Sequence, residues 1–365
     1  MRWFVTVVLL VHGLIHLLGP AKAFGLAPLP QLHKQIPIAM GMIWLLGAIL
    51  VLAAAVSLHI WPRGFWAVGL LAAIVSQLVL FSAWPDAKFG TIANVLLLIA
   101  STIGFFMYGP TSSHGQFVRD SSPRSTSAAK LVTEADLDPL PEPVKRYLRA
   151  VGVVGQPRVQ SYSLYFRGRI RGGPQDPWMS FDATQVSFAN LPSRLFWMDA
   201  TKAGLPVSVY HRFVAGEATM RVKLLGAISM VNARGDVMDR SETVTLFNDM
   251  CILAPATLIG PGIAWRALDA DRAEARFTLG RHTITATLIF GEDGLLRDFI
   301  SDDRSRLAAD GKSAAQMRFS TPVRDYRKYG PFLLASHGEA RWHPPEGNFA
   351  YGEFDLIDVA YNRVP

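Results

Sequence analysis

Acidic residues are almost missing from the first 108 residues of this chain, where Asp86 stands alone beside five Lys or Arg. The other 257 residues hold 28 acidic and 31 basic residues. Cysteine occurs once, as Cys251, so no internal disulfide can form, and a lone thiol suits either redox compartment. Catalytic signatures are missing too. There is no GxSxG elbow, no HExxH pair, no GxxxxGK[ST] phosphate loop and no GxGxxG after a strand. The formal charge of +7 is spread thinly, without Lys/Arg blocks interleaved with aromatics, so nucleic acid is set aside as a partner.

What the first 108 residues do contain is long apolar runs: Trp3–Leu18, Pro37–Leu58, Phe65–Trp84 and Thr91–Tyr108. A hydrocarbon core of ~30 Å needs roughly 20 apolar residues, somewhat fewer when flanking residues snorkel. Four transmembrane helices are expected over 1–108, with Trp3, Trp44, Trp61, Trp66, Trp84 and Tyr108 near the interfaces. The first run is short, but three further spans and no clear cleavage pattern argue against a signal peptide. Four spans put both ends on one side. An inside N-terminus places Arg2, Arg63, Arg119, Arg124 and Lys130 inside, against Lys22, Lys34 and Lys88 outside, which puts the C-terminal part in the cytoplasm.

Polar residues interrupt the spans. His12 and His16 are four apart and share a helix face; Gln77 and Asn94 lie in the third and fourth runs. Such groups commonly hydrogen-bond between helices and hold a bundle together. The competing reading gives His12 and His16 to a metal or haem, although such a site needs three or four ligands.

Residues 109–130, rich in Ser, Thr, Gly and Pro, read as a flexible linker. Thr133 and Asp136 resemble a helix-start box. Pro143, followed by Val144, Tyr147, Leu148 and Val151 on one face, predicts a short helix ending at Gly152. After Gln156 the period becomes two: Tyr162, Leu164, Phe166 and Ile170 alternate with polar partners, as do Ile284, Ala286, Leu288 and Phe290. Further strands are expected near 178–188, 194–200, 207–214, 218–225, 315–321, 331–343 and 349–361. Turns fall at Ala215-Gly216-Glu217 and Glu292-Asp293-Gly294. About ten antiparallel strands result, interrupted by one helix from about Glu242 to Leu258.

So long a meander must close, split or curl around a cover. The expected fold is an α-helical membrane domain followed by an antiparallel β domain over 131–365, a curled half-barrel with lid helices. The large, soft side chains Trp178, Phe181, Phe196, Trp197, Met198, Met220, Met230, Met238, Trp265 and Trp342 are the candidate lining. They would line a hydrophobic cavity or fill a core. Arg240 and Glu242, two apart, would pair at the cavity mouth if extended. Asp249 shares a helix face with Glu242. Arg304, in Asp302-Asp303-Arg304, joins Arg240 as a cation placed to meet a head group.

Several runs carry a resemblance: WxxFxAxQ (Trp178, Phe181, Ala183, Gln185), FWMDA (Phe196–Ala200), DRSETVTLFNDMCILAP (Asp239–Pro255), IAW (Ile263–Trp265) and SDDR (Ser301–Arg304). With HGLIHLLGPAKAFG (His12–Gly25) and WPDAKFGTIAN (Trp84–Asn94), they resemble an uncharacterised bacterial membrane-protein family over nearly the whole chain. That resemblance implies a bacterial cytoplasmic membrane location and no catalytic residues. The closing YRKYGPFLLASHGEARWH and YGEFDLIDVAYN are similar to lipoprotein-carrier-like domains, in which a curled sheet and lid helices hold acyl chains. That likeness implies an extracytoplasmic domain, opposite to the charge count. The reading that follows is a membrane-tethered binder or carrier of a lipid or other hydrophobic small molecule, without a cofactor, its ligand-binding residues Trp178, Phe181, Phe196, Met198, Met220, Arg240, Glu242, Trp265 and Arg304. Its alternatives are an envelope scaffold with a filled core, and the metal or haem protein built on His12 and His16.

Overall fold

The computed structural model describes residues 2–30, 32–122, 129–260, 262–308 and 313–363, which fall into two compact units. The first unit is helical. Its elements are α1 (Arg2–His16), α2 (Leu18–Ala23), α3 (Ile38–Ile60), α4 (Phe65–Ser82), α5 (Trp84–Ala87) and α6 (Gly90–Tyr108). Four helical stretches, Arg2–Ala23, Ile38–Ile60, Phe65–Ser82 and Gly90–Asp120, are long and apolar enough to cross a membrane. α1 packs on α3, α3 on α4 and α4 on α6. Small residues allow this approach: a Cβ on Gly69 would lie 2.2 Å from Ser101 Oγ, and one on Gly13 would lie 2.8 Å from Leu52. The outer faces stay apolar, with Leu10, Val11, Ile49, Leu78 and Ile99 exposed. A continuous surface of that kind is compatible with lipid and unfavourable in water.

The stretch expected to be a linker carries a helix, α7 (Ser113–Asp120). Ser112 Oγ accepts the Gly115 N–H at its start (3.0 Å). At its end, Phe117 packs edge-on to Tyr210, and Asp120 Oδ2 accepts hydrogen bonds from Tyr210 (2.8 Å) and Arg212 (3.0 Å). The eight residues are too polar to signal a helix alone; partners some 90 residues away in sequence hold it. Residues 123–128 of the expected linker, including Arg124, lie outside the described residues.

The second unit opens with the expected box, Thr133 N–H donating to Asp136 Oδ2 (2.8 Å), and with α8 (Glu142–Ala150). Val144, Tyr147 and Leu148 are buried on its inner face. The strands follow: β1 (Ser161–Ile170), β2 (Met179–Phe188), β3 (Ser193–Lys202), β4 (Leu205–Val214), β5 (Glu217–Leu224) and β6 (Ile228–Arg234). The helix α9 (Asp236–Leu253) interrupts them. Then come β7 (Ile263–Ala267), β8 (Arg272–Leu279), β9 (His282–Phe290), β10 (Leu296–Ser301), β11 (Ser305–Leu307), β12 (Ala314–Gln316), β13 (Phe319–Ser320), β14 (Val323–Tyr329), β15 (Phe332–Trp342) and β16 (Phe349–Tyr361).

One antiparallel sheet runs β6-β5-β4-β3-β2-β1-β16-β15-β13-β10-β9-β8-β7, with β14 beside β15; β11 and β12 form a separate hairpin. The sheet curls as an open half-barrel, and α9 packs against β5, β6, β9, β10, β11 and β15. The chain centre therefore joins its end, because β1 pairs with β16. Both expected hairpin turns are present, and Ala215 and Gly216 take φ of 53° and 84°, as a two-residue turn of this hand requires.

Two expectations change. Sixteen strands, not about ten, occur among the described residues, because short strands such as β13 and alanine-faced ones such as β8 (Ala273, Ala275) give little hydrophobic alternation. The helix expected from Glu242 starts at Asp236, right after Gly235 at φ 101°. Its polar first turn hides that start from a periodicity reading.

Candidate functional site

Alternation along β2 to β6 builds one wall of a cavity. The register aligns Gln185, Phe196, His211, Met220 and Ala233 across five strands, and Met198 lies two residues from Phe196 on the same face. Facing them are Met238, Ser241, Glu242 and Thr245 of α9, with Arg304–Leu307, Trp342, Tyr351 and Phe354 at the other side. These residues enclose about 740 Å³, and a smaller pocket of about 120 Å³ continues past Arg194, Phe196 and Arg304 toward Ile252, Val323 and Leu356. Volumes of this order suit a small-molecule ligand.

Of the residues singled out in the sequence, Phe196, Met198, Met220, Glu242 and Arg304 meet at this cavity, as do Met238 and Trp342. The remainder do not. Trp178 is half-buried beneath the guanidinium groups of Arg169 and Arg171, 4.6 and 4.4 Å from its ring centre. Phe181 is buried against Phe354 at 5.2 Å. Trp265 on β7 packs on Phe247 at 6.2 Å. Trp197, one residue from Phe196, necessarily faces the other side of β3, toward Phe117. Met230 is exposed on the edge strand β6. Arg240 and Glu242 do not pair, because two residues on a helix diverge by about 200°. Arg240 instead pairs with Asp303 at the surface, and Glu242 points inward.

Glu242 joins a buried charge network. Arg194 Nε donates to Asp249 Oδ2 (2.6 Å) and its Nη1 to Glu242 Oε2 (3.3 Å). His211 Nδ1 lies 3.4 Å from Glu242 Oε1, and Gln185 Nε2 donates to Asp249 Oδ2 (2.8 Å). Burial works against the charge on Glu242, but His211, Arg194 and Arg304 outweigh it and hold the pKa at about 2. Glu242 is therefore ionised at neutral pH and is no proton donor there. Arg194 was missed in the sequence. Its only signal is a cation opening the otherwise apolar run Arg194–Met198, and one residue has no period. Burial pushes the Cys251 thiol well up, which leaves it unreactive.

In the helical unit, His12 and His16 belong to a neutral hydrogen-bonded seam. Ser76 Oγ donates to Asn94 Oδ1 (2.7 Å), and His12 Nε2 lies 3.0 Å from the same oxygen. That oxygen carries no proton, so His12 Nε2 is the donor. His16 Nε2 lies 2.6 Å from Ser76 Oγ, Asn94 Nδ2 donates to Gln77 Oε1 (3.0 Å), and Gln77 reaches Thr91. Among the described residues no third ligating side chain joins the two histidines. The group that does assemble, Asp236, Asp239 and His282, already holds Arg281, 3.0 Å from Asp236 and 2.8 Å from Asp239.

A chain of four apolar helices followed by a curled antiparallel half-barrel with a helix across its concave side defines the class. The chain belongs to DUF6544, a family of unknown function, which matches residues 130–354. No curated protein matches. Two solved structures are similar: a LolA-superfamily protein from Nitrosomonas europaea (9% identity, 65% of this chain and 96% of that one, TM-score 0.39) and a DUF1329-family protein from Desulfovibrio piger (13%, 64% and 94%, TM-score 0.35). Likeness at this level assigns no role to any residue.

Proposed function

We propose that this protein is a membrane-tethered binding or carrier protein for a lipid or other hydrophobic small molecule. Residues 1–108 would be the transmembrane anchor and 131–365 the binding domain. The observation that carries this reading is the cavity of about 740 Å³, with Phe196, Met198, Met220 and Met238 on its walls. Methionine and aromatic side chains adapt to flexible apolar ligands, and a filled core would leave no such space. The tether would hold the cavity near a bilayer and so raise its effective concentration at the ligand's source.

Mass spectrometry of organic extracts from the full chain, purified in a non-ionic detergent, tests the proposal. Lipid carried around the helices is common to any variant, so the comparison is with Met198→Trp, whose bulkier ring narrows the cavity beside Phe196 and Met220. The expected result is a stoichiometric lipid-like ligand in the parent that is lost from a folded Met198→Trp protein. Identical extracts from both would overturn the reading and favour an envelope scaffold.

A further inference from the structure

We infer that the cavity takes an anionic amphiphile, with Arg304 as the group that meets its head; the inference rests on the binding function proposed above. Guanidinium groups in this domain mostly have acids of their own: Arg194 has Asp249 and Glu242, Arg240 has Asp303, and Arg318 has Asp302. Arg304 does not. Its acidic neighbours in the chain, Asp302 and Asp303, turn to Arg318 and Arg240, and no carboxylate among the described residues pairs with it. Glu242 is near enough to feel its charge, but the Glu242 oxygens face Arg194 and His211.

Neutral groups hold Arg304 in place. Its guanidinium carbon lies 4.2 Å from the Phe319 ring centre, 5.2 Å from Trp342 and 5.9 Å from Tyr351. Its Nη1 donates to Tyr351 Oη (2.6 Å). Of five N–H donors, this uses one and leaves a planar fork matched to carboxylate or phosphate oxygens. The position is also the useful one, because Arg304 lines both the larger cavity and the smaller apolar pocket.

Two further cations on the same wall are anchored the same way. Arg306 donates to the Gly172 carbonyl (3.0 Å) and lies 5.1 Å from the Phe349 ring. Arg171 donates to the carbonyls of Ala350 (2.9 Å) and Pro174 (2.6 Å). Neither has a carboxylate partner among the described residues. Of the acids in the lining, Asp236 is held by Arg281, and Glu242 by Arg194 and His211. The wall thus presents fixed positive charge beside apolar side chains, and an anion with an alkyl tail satisfies both. A carboxylate or a phosphate monoester head provides that chemistry.

Equilibrium binding of radiolabelled hexadecanoate and hexadecanol to the full chain in a non-ionic detergent tests this, with hexadecyl phosphate and inorganic phosphate as competitors. Hexadecanoate should bind about tenfold or more tighter than hexadecanol. Arg304→Gln should remove that preference and keep hexadecanol binding; Arg306→Gln, outside the aromatic cluster, should reduce it with less risk to folding. Hexadecyl phosphate should compete and inorganic phosphate should not. Equal binding of acid and alcohol would overturn the anionic assignment and leave the apolar cavity standing. Competition by inorganic phosphate at the strength of the alkyl ester would overturn the amphiphile. Binding of neither chain would overturn the cavity function itself.

Discussion

The helical unit and the β domain each bury a polar network, and they do so with opposite chemistry. Between the helices, Ser76, Asn94, Gln77 and Thr91 meet the two histidines without a single carboxylate or guanidinium. In the β domain, Arg194, Glu242 and Asp249 bury full charges beside a cavity. Charge at membrane depth is costly, and neutral side chains there satisfy one another pairwise. The cavity wall of the β domain keeps charge where opposite groups are close, Asp249 Oδ2 accepting from Arg194 and Gln185 and Glu242 Oε2 from Arg194. The first network reads as cement; the second also sets the electrostatics of the cavity it lines.

Breaking the charged network should give the largest effect. Arg194→Met removes the one guanidinium that Glu242 and Asp249 share and should cost about 3–5 kcal/mol in denaturant or thermal unfolding. Adding Glu242→Gln and Asp249→Asn should restore most of that loss. If the single substitution is harmless, the network is not the buried ion cluster described.

A smaller, pH-dependent effect sharpens the contrast. Burial raises the pKa of Asp298 to about 6, against N–H donors from Phe299 and Thr321 that pull it down. The folded state then binds more protons than the unfolded one, so this group's contribution to stability falls as pH rises from about 4 to 6. Asp298→Asn should match the parent near pH 4 and exceed it at pH 8 by about 1–3 kcal/mol in melting experiments. A variant less stable than the parent at pH 8 would contradict this.

The neutral seam should be the most forgiving. Asn94→Leu removes the acceptor shared by Ser76 and His12 and should cost about 1 kcal/mol, because polar groups in a helical bundle find substitute partners. A loss comparable to that of Arg194→Met would erase the distinction drawn between the two networks.

Much of the architecture is written in local pattern. Apolar runs mark the four long helices, although α7 escapes because its anchors are Tyr210 and Arg212 on β4. Alternation marks β1 and β9 clearly, and it fades in β8, where alanine carries the buried face. Within the candidate site, Met198 and Met220 were visible as soft side chains. Arg194 was not, since an isolated cation in a strand looks the same whether it faces solvent or a buried acid.

Residue order alone therefore determined where the apolar helices lie, where the period turns from 3.6 to 2, and which side chains are large and soft. Those properties belong to neighbours along the chain. Tertiary structure decided the rest. It sent Arg240 outward and Glu242 inward once α9 began at Asp236, and it brought β1 to β16 across nearly 200 residues. It also left Arg304 among rings, with no acid paired to it among the described residues. Which charges meet and which stay unmatched depends on distances through space, and spacing in sequence does not encode them.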